Sequence, residues 1–365
     1  MGCRMWLGWA LAGCSSIACA FDYQIQTLSQ GLEHPWAMVF LPDGRMLVTE
    51  RAGRIQVLSA QGQLLGPLHN TPKAFTQGQA GYFDLALDPD FATDPWLYLS
   101  FASGSASANH TKVIRARLKG HSLSDTQELF SAQPLKQGAA HYGGRMAFLP
   151  DKTLILTLGD GYNWREKAQD LTSHFGKIVR IHADGSIPKD NPFAAHPTAL
   201  KSIYSYGHRN VQGIYYDAAA KRLYSHEHGP RGGDELNLIT QGANYGWPLA
   251  TFGVDYSGAR ISPYTTLPET VAPLLQWTPS IAPSSLIQYQ GSLFKGWQGD
   301  LLVSTLAERS VRRVRLKDGK LVGEEVLFEE LDARIRSISQ GPDGALYLLT
   351  DEADGRVLRV VPEPE

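Results

Sequence analysis

Apolar and polar residues alternate in short runs along the chain, and each run stops at a cluster of Gly, Pro, Asp or Asn. Two stretches, "LPDGRMLVTERAGRIQVL" (41–58) and "GPDGALYLLTDEADGRVLRVV" (341–361), share one plan. Each has a Pro-Asp-Gly turn, an apolar strand, a polar turn containing Gly-Arg, and a second apolar strand. Looser copies lie between them: 87–103 leading to 113–118, 146–161 to 176–185, 213–229 to 235–239, and 286–306 to 311–316. A period of two bounded by turn residues is the signature of half-buried strands joined by tight turns. No segment carries the 3.6-residue period of an amphipathic helix. Six units of roughly 40 to 60 residues predict an all-β fold, a six-bladed β-propeller of four-stranded antiparallel blades around a central channel. A pair of β-sandwiches or a β-helix accounts less well for the spacing. The likeness of the first and last units suits a ring that closes by joining its ends, and one domain from 21 to 365 follows.

Composition supports a folded, loop-rich body: 365 residues, 43% hydrophobic, with 36 glycines. Basic side chains number 34 and acidic ones 36. This balance favours neither nucleic acid nor an anionic membrane surface, so a small-molecule partner is expected. Residues 1–20 read as an export signal: Arg4, an apolar run from Met5 to Ile17, and the small triplet Ala18, Cys19, Ala20. The run is too short for a membrane span, which needs roughly 20 apolar residues. Cleavage after Ala20 and a periplasmic location are expected. Leu11 to Cys14 also spell a lipoprotein box, and processing there would tether the protein to a membrane. All three cysteines lie in this leader, so packing or metal, rather than disulfides, must hold the mature chain.

Ligand sites of propellers gather at one mouth of the channel, where loops join the strands. In "HYGGRMAF" (141–148), His141 precedes a strand whose hairpin partner ends at Asp160. A hairpin sets the start of one strand beside the end of the next, so the two side chains should meet. A carboxylate fixes the tautomer of an imidazole and supports its cation, which prepares a general base. Gly143 and Gly144 are expected to let a flat ligand approach the backbone. "YGHRNVQG" (206–213) offers Arg209 and Asn210, an anion-binding fork with a neighbouring amide. Arg334 and Arg336 fall on one face of a strand and seek an anion. "HEHGPRGGDELN" (226–237) and "GANYGWP" (242–248) supply Glu227, Asp234, Glu235 and many loop carbonyls, hard-oxygen chemistry suited to calcium. The run is no EF-hand, and no third nitrogen or sulfur ligand completes a zinc site.

With 31–55, 78–91, 168–193 and the motifs just given, the ordered series resembles the soluble PQQ-dependent aldose sugar dehydrogenases of the glucose/sorbosone dehydrogenase family. The resemblance runs from about 31 to 361. It implies a six-bladed propeller that binds pyrroloquinoline quinone (PQQ), a planar tricarboxylate, and Ca2+. It also implies oxidation of aldoses at the anomeric carbon to the lactone, with an external electron acceptor. His141 then matches the general base and Asp160 its orienting partner. Gln79, Arg209, Asn210, His228, Tyr256, Arg334 and Arg336 match cofactor positions. The carbonyls of Gly229 and Pro230 resemble ligands of a calcium that bridges to PQQ, and Glu235 with the backbone of Tyr245 matches a second calcium site. One departure stands out: Ala307 in "STLAERSV" (304–311) occupies a position where the family often carries a cofactor-contacting lysine, leaving Arg309 to reach the same carboxylate. Two readings of another class are a noncatalytic carbohydrate- or protein-binding propeller and a calcium-dependent lactonase, since one fold hosts many functions.

Overall fold

The computed structural model describes residues 23–363, so the leader, Cys14 included, lies outside the described residues. Six four-stranded antiparallel sheets form the six blades. Their innermost strands are Pro35–Phe40, Tyr82–Leu87, Met146–Phe148, Val211–Asp217, Pro283–Gln288 and Ile335–Gln340, for blades 1 to 6 in turn. Each blade runs outward in chain order, except that the outer strand of blade 6 is Tyr23–Leu32. That strand pairs antiparallel with Gly355–Pro362, for example Ile25 opposite Val360, so the start of the described chain closes the ring. Two short 3-10 turns, Arg165–Gln169 and Glu329–Leu331, are the only helical elements among the described residues.

Simple alternation describes only part of the burial. The second strands of blades 1, 3, 5 and 6 (Met46–Glu50, Leu154–Thr157, Leu301–Thr305 and Leu346–Thr350) are buried at every residue. Both faces of an inner blade pack against neighbouring blades, so these strands are apolar on both sides. The core is accordingly divided into seams between adjacent blades. Leu47, Ile55 and Val57 meet Tyr82, Leu97 and Leu99 between blades 1 and 2. Phe294, Trp297 and Leu302 meet Ile338, Leu348 and Leu358 between blades 5 and 6. Burying each such side chain contributes about 1.5–3 kcal/mol.

On the axis, just before the inner strand of blade 3, stands Arg145. Its Nε donates to the Gln212 carbonyl (2.9 Å), and Nη2 to those of Ser284 (2.7 Å) and Arg336 (3.2 Å). Nη1 lies 3.5 Å from Asp84, and the guanidinium lies 3.9 Å from the centre of the Trp36 ring. These partners come from blades 4, 5, 6, 2 and 1, so one side chain touches all six blades. Burial pushes its pKa down to about 10, which still leaves it protonated at neutral pH.

Candidate active site

Each inner strand starts at the same mouth, and the turn after each second strand returns there. His141 sits ahead of the blade 3 inner strand, in the left-handed region at φ 54°. Its backbone N–H donates to Gln79 Oε1 (2.8 Å). Gly159 lets the two chain segments close, since a Cβ there would lie 2.3 Å from the His141 carbonyl. Gly143 and Gly144 serve the chain's own packing. A Cβ on Gly143 would meet the Thr157 carbonyl at 2.6 Å, and one on Gly144 the Phe83 ring at 2.8 Å. The expectation of ligand approach is therefore corrected for Gly144, whose free side is filled by Phe83, whereas Gly143 does border the cavity.

His141 Nδ1 is 2.7 Å from Asp160 Oδ1, and both side chains are buried. The same Oδ1 accepts the Tyr162 N–H (2.8 Å), and Oδ2 accepts Trp247 Nε1–H (2.9 Å). With donors on both oxygens, Asp160 is held as a carboxylate below its ordinary pKa despite burial. It keeps the His141 proton on Nδ1. Nε2 makes no hydrogen bond and is not among the buried unpaired atoms, so its lone pair is the open edge of the ring. Burial holds the imidazole below its usual pKa, against the raising effect of Asp160. Neutral at pH 7, with a bare Nε2, His141 is prepared to accept a proton.

His141 itself borders a small space of about 10 Å³ with Lys136 and His174, while the next residues, Tyr142 and Gly143, border a cavity of about 200 Å³. Gln79, Asn210, His228, Arg334 and Arg336 border it, and its lining includes Trp36, Phe83 and Tyr142. The arginine pair already has one internal anion: Asp351 accepts Arg336 Nη2 at 2.7 Å, lies 3.5 Å from Arg334 Nη2, and pairs with His34 at 3.0 Å. Arg336 Nε is nevertheless buried without a partner. Burial holds His228 well below the ordinary histidine pKa and its Nε2 donates to the Pro283 carbonyl (2.8 Å), so it is a neutral wall of the cavity. A second lobe of about 310 Å³ is bordered by Asp160, Tyr162, Arg209, Pro230, Trp247 and Tyr256. Tyr256 is 58% exposed and lies at the rim.

The four expected metal residues divide differently from the reading above. Gly229, Glu235 and Tyr245 border one small space of about 10 Å³, with Glu227, while Pro230 borders the second lobe. Such a space suits a single ion or water. Burial, then the charge of Glu227, pushes Glu235 up to about 8, so a cation here would meet an acid that gains by ionising. Asp234 does not contribute: its oxygens accept the N–H groups of Gly229, Ile281 and Ala282 and the Ser280 hydroxyl. Among the described residues no three His, Cys, Asp or Glu side chains cluster as metal ligands, so carbonyls must complete any calcium shell. Arg209 Nη1 occupies the Gly229 carbonyl (2.6 Å) and that of His228 (3.1 Å). These carbonyls converge on positive charge, and an ion taking them requires the guanidinium to move.

Arg309 does not reach the cavity; it pairs with Asp332 at 2.8 Å, half exposed, and Leu306 is the cavity residue of that loop. Arg51, at the turn after the second strand of blade 1, does border it and was not expected. The repeat itself carries the signal, because "TERAGR" and "TDEADGR" are equivalent turns that place Arg51 and Asp351 at one mouth.

A base held by a buried acid beside a cavity rich in cations marks an enzyme rather than a docking scaffold. Residues 32–359 match the family model described as Glucose / Sorbosone dehydrogenase; the chain belongs to that family and is an oxidoreductase. It is 38% identical over 344 residues to aldose sugar dehydrogenase YliI of Escherichia coli K12, covering 93% of this chain and 92% of that one. The crystal structure of the soluble aldose sugar dehydrogenase of Escherichia coli in its apo form superposes with a TM-score of 0.90 at 36% identity, over 93% of this chain and 100% of the other. The PQQ-bound form of an aldose sugar dehydrogenase from Streptomyces coelicolor gives 0.77 at 29% identity, over 94% and 99%.

Proposed function

We propose that this enzyme oxidises an aldose at its anomeric carbon to the lactone, using PQQ and calcium. The observation that carries the reading is the His141–Asp160 pair, with Nδ1 tied down and Nε2 without a hydrogen bond, where Asp160 borders one cavity and Tyr142 and Gly143, next to His141, border the other. The residues fit a planar polyanion: aromatic side chains in the lining, clustered guanidinium groups and an unpaired buried Arg336 Nε. Gln79, Arg209, Asn210, His228, Tyr256, Arg334 and Arg336 would hold PQQ. Gly229, Pro230, Glu235 and Tyr245 would supply oxygens to calcium. When bound, PQQ supplies an electrophilic quinone carbon that accepts hydride. Nε2 of His141 takes the proton of the anomeric hydroxyl as the hydride leaves C1, so the C–H bond breaks, a C=O bond forms and two electrons leave the sugar. Asp160 holds the imidazolium in place and offsets its charge. The second lobe, with Tyr162 and Trp247, has the aromatic and polar lining suited to a sugar ring. Electrons pass onward to an external acceptor. The leader supports a periplasmic site of action, which the mass of the mature N-terminus would test.

The experiment is addition of PQQ and Ca2+ to purified apoprotein, followed by dye reduction across a panel of aldoses. Turnover requiring both additions and an electron acceptor is expected; hydrolysis without an acceptor would refute it. His141→Gln should keep cofactor binding while lowering turnover by about 10²- to 10⁴-fold.

A further inference from the structure

Three guanidinium groups, those of Arg51, Arg334 and Arg336, border one cavity that contains a single carboxylate, Asp351. Arg334 and Arg336 both lie on that carboxylate. Arg51 does not: among the described residues its side chain has no hydrogen bond or ion pair, although it is partly buried. The nearby acid Glu33 is engaged by Arg54 at 2.7 Å. Burial holds the Arg51 guanidinium below its ordinary pKa; Asp351 opposes that, and Arg336 and Arg334 add to it. A folded chain keeps a partly buried, repelled and unpaired cation at a cavity wall only at a cost, and such a cost is usual where a ligand supplies the missing charge.

We propose that Arg51 is a cofactor-binding residue whose guanidinium takes a carboxylate of PQQ in the cavity it shares with Arg334 and Arg336. The inference rests on the reading of this cavity as the PQQ site, and it adds a clamp from blade 1 to those from blades 4 and 6. A planar guanidinium can grip a carboxylate through two parallel N–H donors. Arg51 thereby does what neither Ala307 nor the outward-turned Arg309 does from blade 5.

The test is equilibrium binding to the full-length apoprotein in calcium buffer, read by quenching of intrinsic tryptophan fluorescence, since Trp36 borders the cavity. The probes are PQQ and its trimethyl ester, and the proteins are wild type, Arg51→Met and Arg51→Lys. Loss of one charge-assisted bond should weaken PQQ binding about 10- to 150-fold in Arg51→Met. Arg51→Lys, which keeps the charge and loses the fork, should fall between. The ester, which lacks the charges, should bind wild type and Arg51→Met within about two-fold. The apoprotein Tm should stay level or rise, because a repelled cation has been removed. Unchanged PQQ affinity in Arg51→Met would overturn the proposal. So would equal weakening of PQQ and ester, or a lower apoprotein Tm, which would make Arg51 a structural partner of Asp351. If wild type itself fails to bind PQQ, the underlying reading falls and this one with it; if wild type binds and only Arg51→Met is indifferent, Arg51 alone is rejected.

Discussion

Replacing Asp160 by Asn asks what the buried carboxylate does for His141, and the hydrogen bonds predict the answer. Asp160 accepts three times: from His141 and the Tyr162 N–H on Oδ1, and from Trp247 on Oδ2. An amide has one acceptor and one donor end. With its oxygen toward His141, only Trp247 faces a donor; with its nitrogen there, the Tyr162 N–H is opposed and the imidazole proton must move to Nε2. Each orientation thwarts one buried donor, at about 1–3 kcal/mol, so the bond count is equal; with the oxygen toward His141 the tautomer needed for catalysis survives. What is lost is the charge. A charge-assisted hydrogen bond contributes about 1.5–3 kcal/mol and a neutral one about 0.5–1.5, leaving a deficit on the order of 1–2 kcal/mol, or about 5- to 30-fold in rate. A wrong tautomer would instead cost about 10⁴-fold, as in the serine-protease triad. The assay is single-turnover reduction of the loaded enzyme by sugar, normalised to bound cofactor. The base must be neutral, and burial already holds His141 below its ordinary pKa, so the rate of the wild type should fall only as pH drops through a value below 6.5. Asp160 raises that pKa, so Asp160→Asn should shift the acid limb to still lower pH while lowering the plateau. An unchanged plateau or an acid limb moved upward would refute the reasoning, and a fall of about four orders would place the amide nitrogen toward His141.

Calcium should raise the Tm of the wild-type apoprotein, and chelation should reverse the rise. Glu235→Gln, which removes the carboxylate from the small space shared with Gly229 and Tyr245, should abolish most of that shift in a thermal melt. Arg145→Met strips the axis of its cation and leaves Asp84 buried opposite no charge, a loss of about 3–5 kcal/mol in urea unfolding. Adding Asp84→Leu should recover part of it, and strict additivity of the two changes would contradict the pairing.

The blades were legible because each announces itself by turn chemistry, and the hairpin of blade 3 brought His141 to Asp160 by local geometry alone. Contacts between blades were not. Trp247 completes the Asp160 shell from 87 residues away, and no single hairpin relates the two. Arg51 lies in a turn whose direction toward the mouth is fixed only when six blades are set in a ring. The loop at Arg309 turns outward through a left-handed backbone (φ 60°) that its sequence does not declare. Residue types also concealed prior commitments: Asp234 reads as a metal ligand, yet four donors already claim its oxygens. Asp351 was likewise hidden, although it is the anion that Arg334 and Arg336 were expected to seek.

Arg145, gripping carbonyls from three blades while lying against Asp84 and Trp36, turns the axis into a dead end beneath the cavity. On the proposed reaction, whatever collects electrons would therefore use the doorway through which the sugar enters and the lactone leaves. The two half-reactions must take turns, with the first visitor gone before the second can dock. A broad acceptor protein and a narrow reductant sharing one threshold would compete, and excess sugar should then slow the relay rather than saturate it.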